Sequence, residues 1–153
     1  MNLQVVDGGD AGSHAPLLGA IHLGSFDAGW GKEEIGRLVA LPGSFVVVAS
    51  IEQSPFGFVL VRTAADEAEI ITLAVLPDRR RRGVGRSLVE AALAEIRRRG
   101  CRAMFLEVAC DNEPAQRLYQ ACAFREVGRR RRYYARGSEP PVDAVIMRRD
   151  FGR

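Results

Sequence analysis

Apolar and polar positions follow two different periods along this chain. Leu3-Gln4-Val5-Val6 opens it as a short strand. From Asp10 to Leu23 the residues Leu17, Leu18, Ile21 and His22 recur at helical spacing and predict a helix. Gly29-Trp30-Gly31 breaks that pattern. A second helix is predicted over 32–41, where Ile35, Leu38 and Val39 share a face and Pro42-Gly43 ends it. Residues 44–51 (SFVVVASI) and 56–62 (FGFVLVR) are rich in β-branched and aromatic residues and flank a turn at 52–55, so they read as a hairpin. A third strand over 69–76 stops at Pro77, and the three strands are expected to form an antiparallel meander.

Beyond Pro77 the helical period returns. Val84, Leu88, Ala92 and Ile96 recur every fourth residue, flanked by Val89 and Leu93. They predict a helix over 83–99 with one apolar face and a stop at Gly100. A strand follows over 103–108. Asp111 or Asn112 then caps a helix that admits Pro114 in its first turn and carries Ala115, Leu118, Tyr119 and Cys122. Two strands, 126–134 and 142–147, close the chain, with a loop predicted over 135–141. This order, with a strand-helix-strand unit between Glu69 and Val108, is that of an α+β fold with a mixed, mostly antiparallel sheet. A chain of 153 residues has room for one such domain, expected to span 1–153.

Composition narrows the functions open to it. Apolar residues at 47% and charged residues at 27% are globular values. No apolar run reaches the length of a membrane span, and the opening residues lack a basic segment followed by an apolar core, so the expected compartment is the cytoplasm. Cys101, Cys110 and Cys122 form no ligand spacing with His14 or His22; reduced thiols and no metal site are expected. Lys32 is the sole lysine in a chain of net charge +3. The arginine bias runs through the whole chain, so the position of an arginine carries weight and the count does not.

One stretch stands out by position: RRRRGVGRSL, 79–88, at the start of the long helix. Unpaired N–H groups and partial positive charge at a helix start attract phosphate. Gly83 and Gly85 remove side chains at closest approach, and Arg80, Arg81, Arg82 and Arg86 add positive field. The stretch has neither GxxxxGK[ST] nor a full GxGxxG. On its own it leaves two readings open, a phosphate cradle or a solvated arginine cluster at an ordinary helix start.

Residues 73–88, LAVLPDRRRRGVGRSL, resemble the acetyl-coenzyme-A signature of the GNAT acetyltransferase superfamily. DEAEI (66–70), FLEVACDN (105–112), AQRLY (115–119), RYY (132–134) and DAVIM (143–147) are together similar to its RimI-like ribosomal-protein-alanine N-acetyltransferases. The resemblance implies a sheet with helices on both faces and acetyl-coenzyme A as co-substrate. It places the coenzyme along the backbone of Leu73, Ala74 and Val75, at Arg80, Arg81, Arg82, Gly83, Val84, Gly85 and Arg86, and at Asn112. The Val75 N–H would receive the oxyanion. The acceptor would be a protein N-terminus, that of a small-subunit ribosomal protein, with neither nucleic acid nor membrane as partner.

Acetyl transfer to an α-amine with pKa near ~8 needs a base, an oxyanion donor and an acid for the leaving thiolate. The resemblance makes Glu107 the base and Tyr119 the acid; read as bare sequence, Glu107 is more often a solvent-facing strand residue and Tyr119 most often a core aromatic. Trp30, Tyr133 and Tyr134 would meet the acceptor peptide, and Asp66, Glu67 and Glu69 would favour a basic one. For Trp30, core and groove remain equal readings, and for the acidic turn a solvated loop remains the simpler one. Relatives carry Pro-Trp-Ser where this chain has Gly29-Trp30-Gly31, and Gly where it has Ala123. The alternatives are a GNAT enzyme for another N-terminus, a lysine or a small amine, and a non-catalytic RNA-binding module using the arginine runs.

Overall fold

The computed structural model describes residues 1–26 and 29–151. Its strands are β1 (Asn2–Asp7), β2 (Ser44–Ile51), β3 (Ser54–Ala64), β4 (Glu67–Val75), β5 (Ala103–Ala109), β6 (Arg125–Arg136) and β7 (Glu139–Asp150). The helices are α1 (Gly8–Ala11), α2 (Ala15–Ser25), α3 (Lys32–Val39), α4 (Val84–Arg98) and α5 (Glu113–Ala121). One seven-stranded sheet runs in the order β1-β2-β3-β4-β5-β7-β6. Every neighbouring pair is antiparallel except β4–β5, which the α4 crossover makes parallel. The mixed, mostly antiparallel sheet with helices on both faces is borne out.

The unbroken apolar runs of β2 and β3 arise because both faces of these strands are covered. Val46, Val48, Phe58 and Leu60 face a cluster made with α2 and α3, through Leu18, Ile21, Ile35 and Val39. Phe45, Val47, Val59 and Val61 face the other cluster, made with α4 and α5. The fourfold period of α4 puts Val84, Leu88, Ala92 and Ile96 into that second cluster. Leu88 and Ile96 are fully buried, and each burial contributes about 2 kcal/mol.

Two expectations are corrected. The helix expected over 10–23 is divided into α1, a 3-10 turn at Gly12–His14 and α2 starting at Ala15, with Pro16 in its first turn. Residues 135–141 are not a loop. β6 and β7 run to a tight turn at 137–138, where Gly137 has φ +59°. Pro140 and Pro141 are tolerated because β7 pairs with β5 only from Ala144 onward and its register with β6 shifts between Tyr134 and Arg136, so both ladders are interrupted where the prolines sit. At Ala123, the glycine of relatives proves to answer a real demand: φ is +67° there, a left-handed conformation forced on alanine.

Candidate active site

β4 and β5 pair over only three rungs, Glu67↔Ala103, Ala68↔Met104 and Glu69↔Phe105. Beyond Glu69 the two strands no longer pair, and the sheet splits. β4 also carries a bulge at Ile71, since Leu60 opposes Thr72 while the next residue, Val61, opposes Ile70. The Leu76 N–H donates to Phe56 O at 2.9 Å, so strand alternation turns the backbone groups of Val75 and Leu73 away from β3, toward the split. The distortion therefore sits at Ile71, not at Val75, which keeps its partner Gly57 in β3.

The mouth of α4 opens beside this split. Gly83 is its N-cap at φ +75°, ψ +11°, and no side chain caps the helix. The first intrahelical bond runs from Ser87 N–H to Gly83 O, which leaves the amides of Val84, Gly85 and Arg86 without helical partners. The two glycines serve different ends. Gly83 supplies the left-handed backbone with open space around its missing side chain, whereas a Cβ on Gly85 would come within 3.1 Å of Leu118 on α5. The arginines divide as well. Arg80 donates through Nε to Val75 O (2.9 Å) and through Nη2 to Ser25 O (2.7 Å), tying the loop to β4 and to the end of α2. Arg86 is paired along its helix with Glu90 at 2.9 Å. Arg81 and Arg82 are exposed.

Glu107 lies between Leu106 and Val108, both packed toward α4 and α5, so it projects from the opposite face together with Phe105. Its side chain is 18% exposed and its Oε1 meets Arg130 Nε at 2.8 Å. Glu69, flanked by Ala68 and Ile70 of the α4-side cluster, projects from the same face. Burial first, and then the nearby charge of Glu107, push its carboxyl above the usual range, while Arg130 and Arg62 oppose the shift. A cavity of about 210 Å³ beside it is lined by Arg62, Ala64, Glu67, Ala68, Glu69 and Phe105.

Tyr119 is on the other face, buried among the α4-side residues with its ring edge-on to Phe124 at 5.8 Å. Burial pushes its phenol well above the usual range, with smaller contributions from Cys122 and Tyr134. Glu107 and Tyr119 thus occupy opposite faces of the sheet, and the missing rungs between β4 and β5 are what join those faces. Tyr134 feels both sides: its hydroxyl is raised by burial and then by Glu107, and its charge acts on Tyr119. A bulge in β6 between Arg130 and Tyr134, where Arg132 takes φ +53° and its N–H donates to Asp143 Oδ1, sets the orientation of the two tyrosines. Tyr133 is half exposed and Arg130 lies over its ring at 5.3 Å.

Of the other candidates, Asn112 caps α5 by accepting from the Ala115 N–H at 3.2 Å. Asp66 is paired with Arg102 and Glu67 with Arg148, and of the two only Glu67 lines the cavity. Trp30 is partly buried against the α2–α3 cluster. Three participants escaped sequence reading. Arg130 was hidden in a uniform run of arginines, and its ion pair with Glu107 singles it out. His22 and Thr72 meet across 50 residues, a contact no local pattern announces.

A sequence profile described as the Acetyltransferase (GNAT) family matches residues 17–124. The chain belongs to that family. The GNAT match runs from α2 to the end of the turn after α5, and so includes the split, the α4 mouth, Glu107 and Tyr119. The N-alpha-acetyltransferase RimI of Mycobacterium tuberculosis is 35% identical over 147 residues, 94% of this chain and 88% of that one. The [ribosomal protein bS18]-alanine N-acetyltransferase of Escherichia coli K12 is 38% identical over 90 residues, and the chain spans 60% of that relative's length. The crystal structure of the ribosomal-protein-S18-alanine N-acetyltransferase from Escherichia coli superposes with a TM-score of 0.88 at 25% identity, over 99% of this chain and 94% of that one. The NatC complex bound to Gag peptide and CoA shares the fold at a TM-score of 0.77 and 20% identity, over 99% of this chain and 100% of that one.

Proposed function

We propose that this GNAT chain transfers an acetyl group from acetyl-coenzyme A to the N-terminal α-amino group of a protein, the N-terminal alanine of a small-subunit ribosomal protein. The observation that carries the reading is the split of β4 from β5 beside an uncapped helix mouth, with a carboxylate on one face and a phenol on the other. The site fits the coenzyme on three counts. The amides of Val84, Gly85 and Arg86 are free for a diphosphate, no side chain at Gly83 obstructs it, and the Leu73 backbone groups and the Val75 N–H face the split for an amide-bearing arm, the Val75 carbonyl being held by Arg80. Arg81 and Arg82 add positive field at the mouth; Arg80 contributes by holding the loop. Bound there, acetyl-coenzyme A supplies an activated thioester.

The chain's own groups do the rest. Glu107 takes a proton from the acceptor ammonium, directly or through water, on the open face of the sheet. The Val75 N–H, on the split edge, donates to the carbonyl oxygen as that oxygen gains negative charge. Tyr119 stays protonated because burial raises its pKa, and it supports the departing thiolate as hydrogen-bond donor and acid, the second proton that the nitrogen sheds as the amide forms balancing the one the thiolate takes up. Trp30, Tyr133 and Tyr134 border the acceptor's approach on the Glu107 face, and Glu67 and Glu69 around the cavity favour a basic peptide. The first two arginines of the β6 run are divided between Glu126, which takes Arg129, and Glu107, which takes Arg130. That division favours a role at the site over a nucleic-acid tract.

The decisive test is incubation with acetyl-coenzyme A and a panel of Ala-starting basic peptides, lysine peptides with blocked N-termini and small amines, read by mass spectrometry. Acetyl on the α-amine of the Ala peptide supports the reading. Acetyl on lysine or on a small amine replaces the acceptor, and no product with any of them defeats the reading.

A further inference from the structure

Trp30, just ahead of α3, is held by a side chain that the proton-transfer chemistry leaves unused. His22 is 4% exposed, on the last turn of α2. Its Nδ1 lies 2.8 Å from the backbone N of Trp30, and its Nε2 lies 3.0 Å from Thr72 Oγ1. The Trp30 amide is an obligate donor, so Nδ1 is the bare nitrogen and the proton sits on Nε2, donated to Thr72. The imidazole also lies flat against the Trp30 indole, with centroids 4.6 Å apart and planes 6° from parallel. Phe26 and Phe58 complete its surroundings. Thr72 follows the bulge residue Ile71, on the strand that borders the split.

Backbone contacts explain why this chain relies on such a clamp. A Cβ on Gly29 would fall 2.6 Å from His22 O and 2.7 Å from Leu23 Cα, so the chain folds back onto α2 along a path closed to proline or any other side chain. A Cβ on Gly31 would meet its nearest neighbour, the Leu23 side chain, at an ordinary contact distance of 3.8 Å. With glycine on both sides, Trp30 owes its position to its contacts and not to backbone stiffness. The same end of α2 is fixed a second time, by Arg80 Nη2 on Ser25 O.

We propose that His22 is a positioning residue for the acceptor: it clamps Trp30 to β4 at the bulge, so that the incoming N-terminus meets a rigid aromatic wall beside the split. This rests on the N-terminal acetyl transfer proposed above. The clamp sets acceptor affinity and leaves the coenzyme site untouched.

Trp30 is the chain's only tryptophan, so its fluorescence reports on the clamp directly. The test compares wild type with His22→Leu and the milder Thr72→Val, which keeps the ring and removes only its anchor on β4. Steady-state kinetics with an Ala-starting basic peptide and acrylamide quenching of Trp30 are the readouts. Losing the hydrogen bonds should raise the peptide KM by about fivefold to tenfold in His22→Leu and less in Thr72→Val, with the acetyl-coenzyme A KM within about twofold. Quenching of Trp30 should rise in the same order, and His22→Asn, which restores an acceptor for the Trp30 N–H, should recover part of both. Unchanged peptide KM and quenching in a cooperatively folding Thr72→Val overturns the proposal, as does an equal rise in both KM values. If wild type acetylates no peptide, the acceptor reading fails separately, and unaltered quenching in the variants then sinks the clamp as well.

Discussion

Glu107 shares its carboxylate with the Arg130 guanidinium, and an acceptor ammonium would compete for the same oxygens. A base that removes the amine proton should be indispensable for turnover yet irrelevant to a coenzyme bound on the other face. Glu107→Gln is therefore expected to lower kcat by about 100-fold or more, with coenzyme affinity measured by calorimetry within about twofold. His22 offers a second test, of stability. Burial lowers its pKa from 6.5 to about 4, so between those values the unfolded chain binds a proton that the folded chain refuses. Its contribution is fully present above pH 6.5 and is lost as pH falls toward 4, at roughly 1 kcal/mol per pH unit. The difference in unfolding free energy between pH 7 and pH 5 should shrink in His22→Gln; an unchanged difference would show that the imidazole is not held neutral. Ala123 offers a third. Replacing it by glycine relieves φ +67° and should stabilise the fold by ~0.5–1 kcal/mol in denaturant titrations, despite the added freedom of the unfolded chain.

Among the elements, what could be read from sequence was what local physics decides. The fourfold period of α4, the Asn112 cap of α5 and the stop at Gly100 depend on neighbours a few residues away, and they stand where the pattern puts them. The hairpin turn at 137–138 was missed because two prolines and a glycine mimic a loop, and only the overhang of β7 beyond β5 and its register shift against β6 reveal how the strand carries them. The bulge at Ile71 was illegible for a related reason: one extra residue in β4 changes which side chains face which cluster, but Ile, Ile and Thr are all good strand formers. Gly85 shows how a correctly chosen residue can serve another purpose. It was singled out for phosphate approach, yet its absent side chain also makes room for Leu118, so the α4 mouth and α5 are packed as a unit. Tyr119, on that helix, should report on the chemistry only through its hydroxyl. Tyr119→Phe is expected to keep the melting temperature and lower kcat by about 10-fold to 100-fold; a loss of stability with kcat intact would mark the residue as packing.

At the scale of the whole molecule, the two hydrophobic clusters lie on opposite faces of a sheet whose strands stay paired except between β4 and β5. The split is a gap inside the sheet where an extended molecule can replace a missing strand, and it is flanked by backbone groups already turned toward it. A coenzyme arm that fills it reconnects the halves of the sheet, and a diphosphate at the α4 mouth satisfies amides that the fold leaves free. Ligand that binds only the folded chain stabilises it by mass action, about 2.7 kcal/mol at 100 times Kd, which for a chain of this size raises Tm by roughly 5–10 °C. Acetyl-coenzyme A should produce that shift in a thermal melt, and acetate or free acetyl thioesters without the nucleotide should not. Gly83→Val introduces a side chain at φ +75°, where the backbone refuses it, and should both lower the ligand-free Tm and abolish most of the shift. Arg81→Gln with Arg82→Gln keeps the backbone and should leave the ligand-free Tm unchanged while reducing the shift, because only the field at the mouth is lost. A wild-type melt indifferent to saturating acetyl-coenzyme A would mean that the split is not filled by it, and the catalytic roles given to Glu107 and Tyr119 would fall with that result.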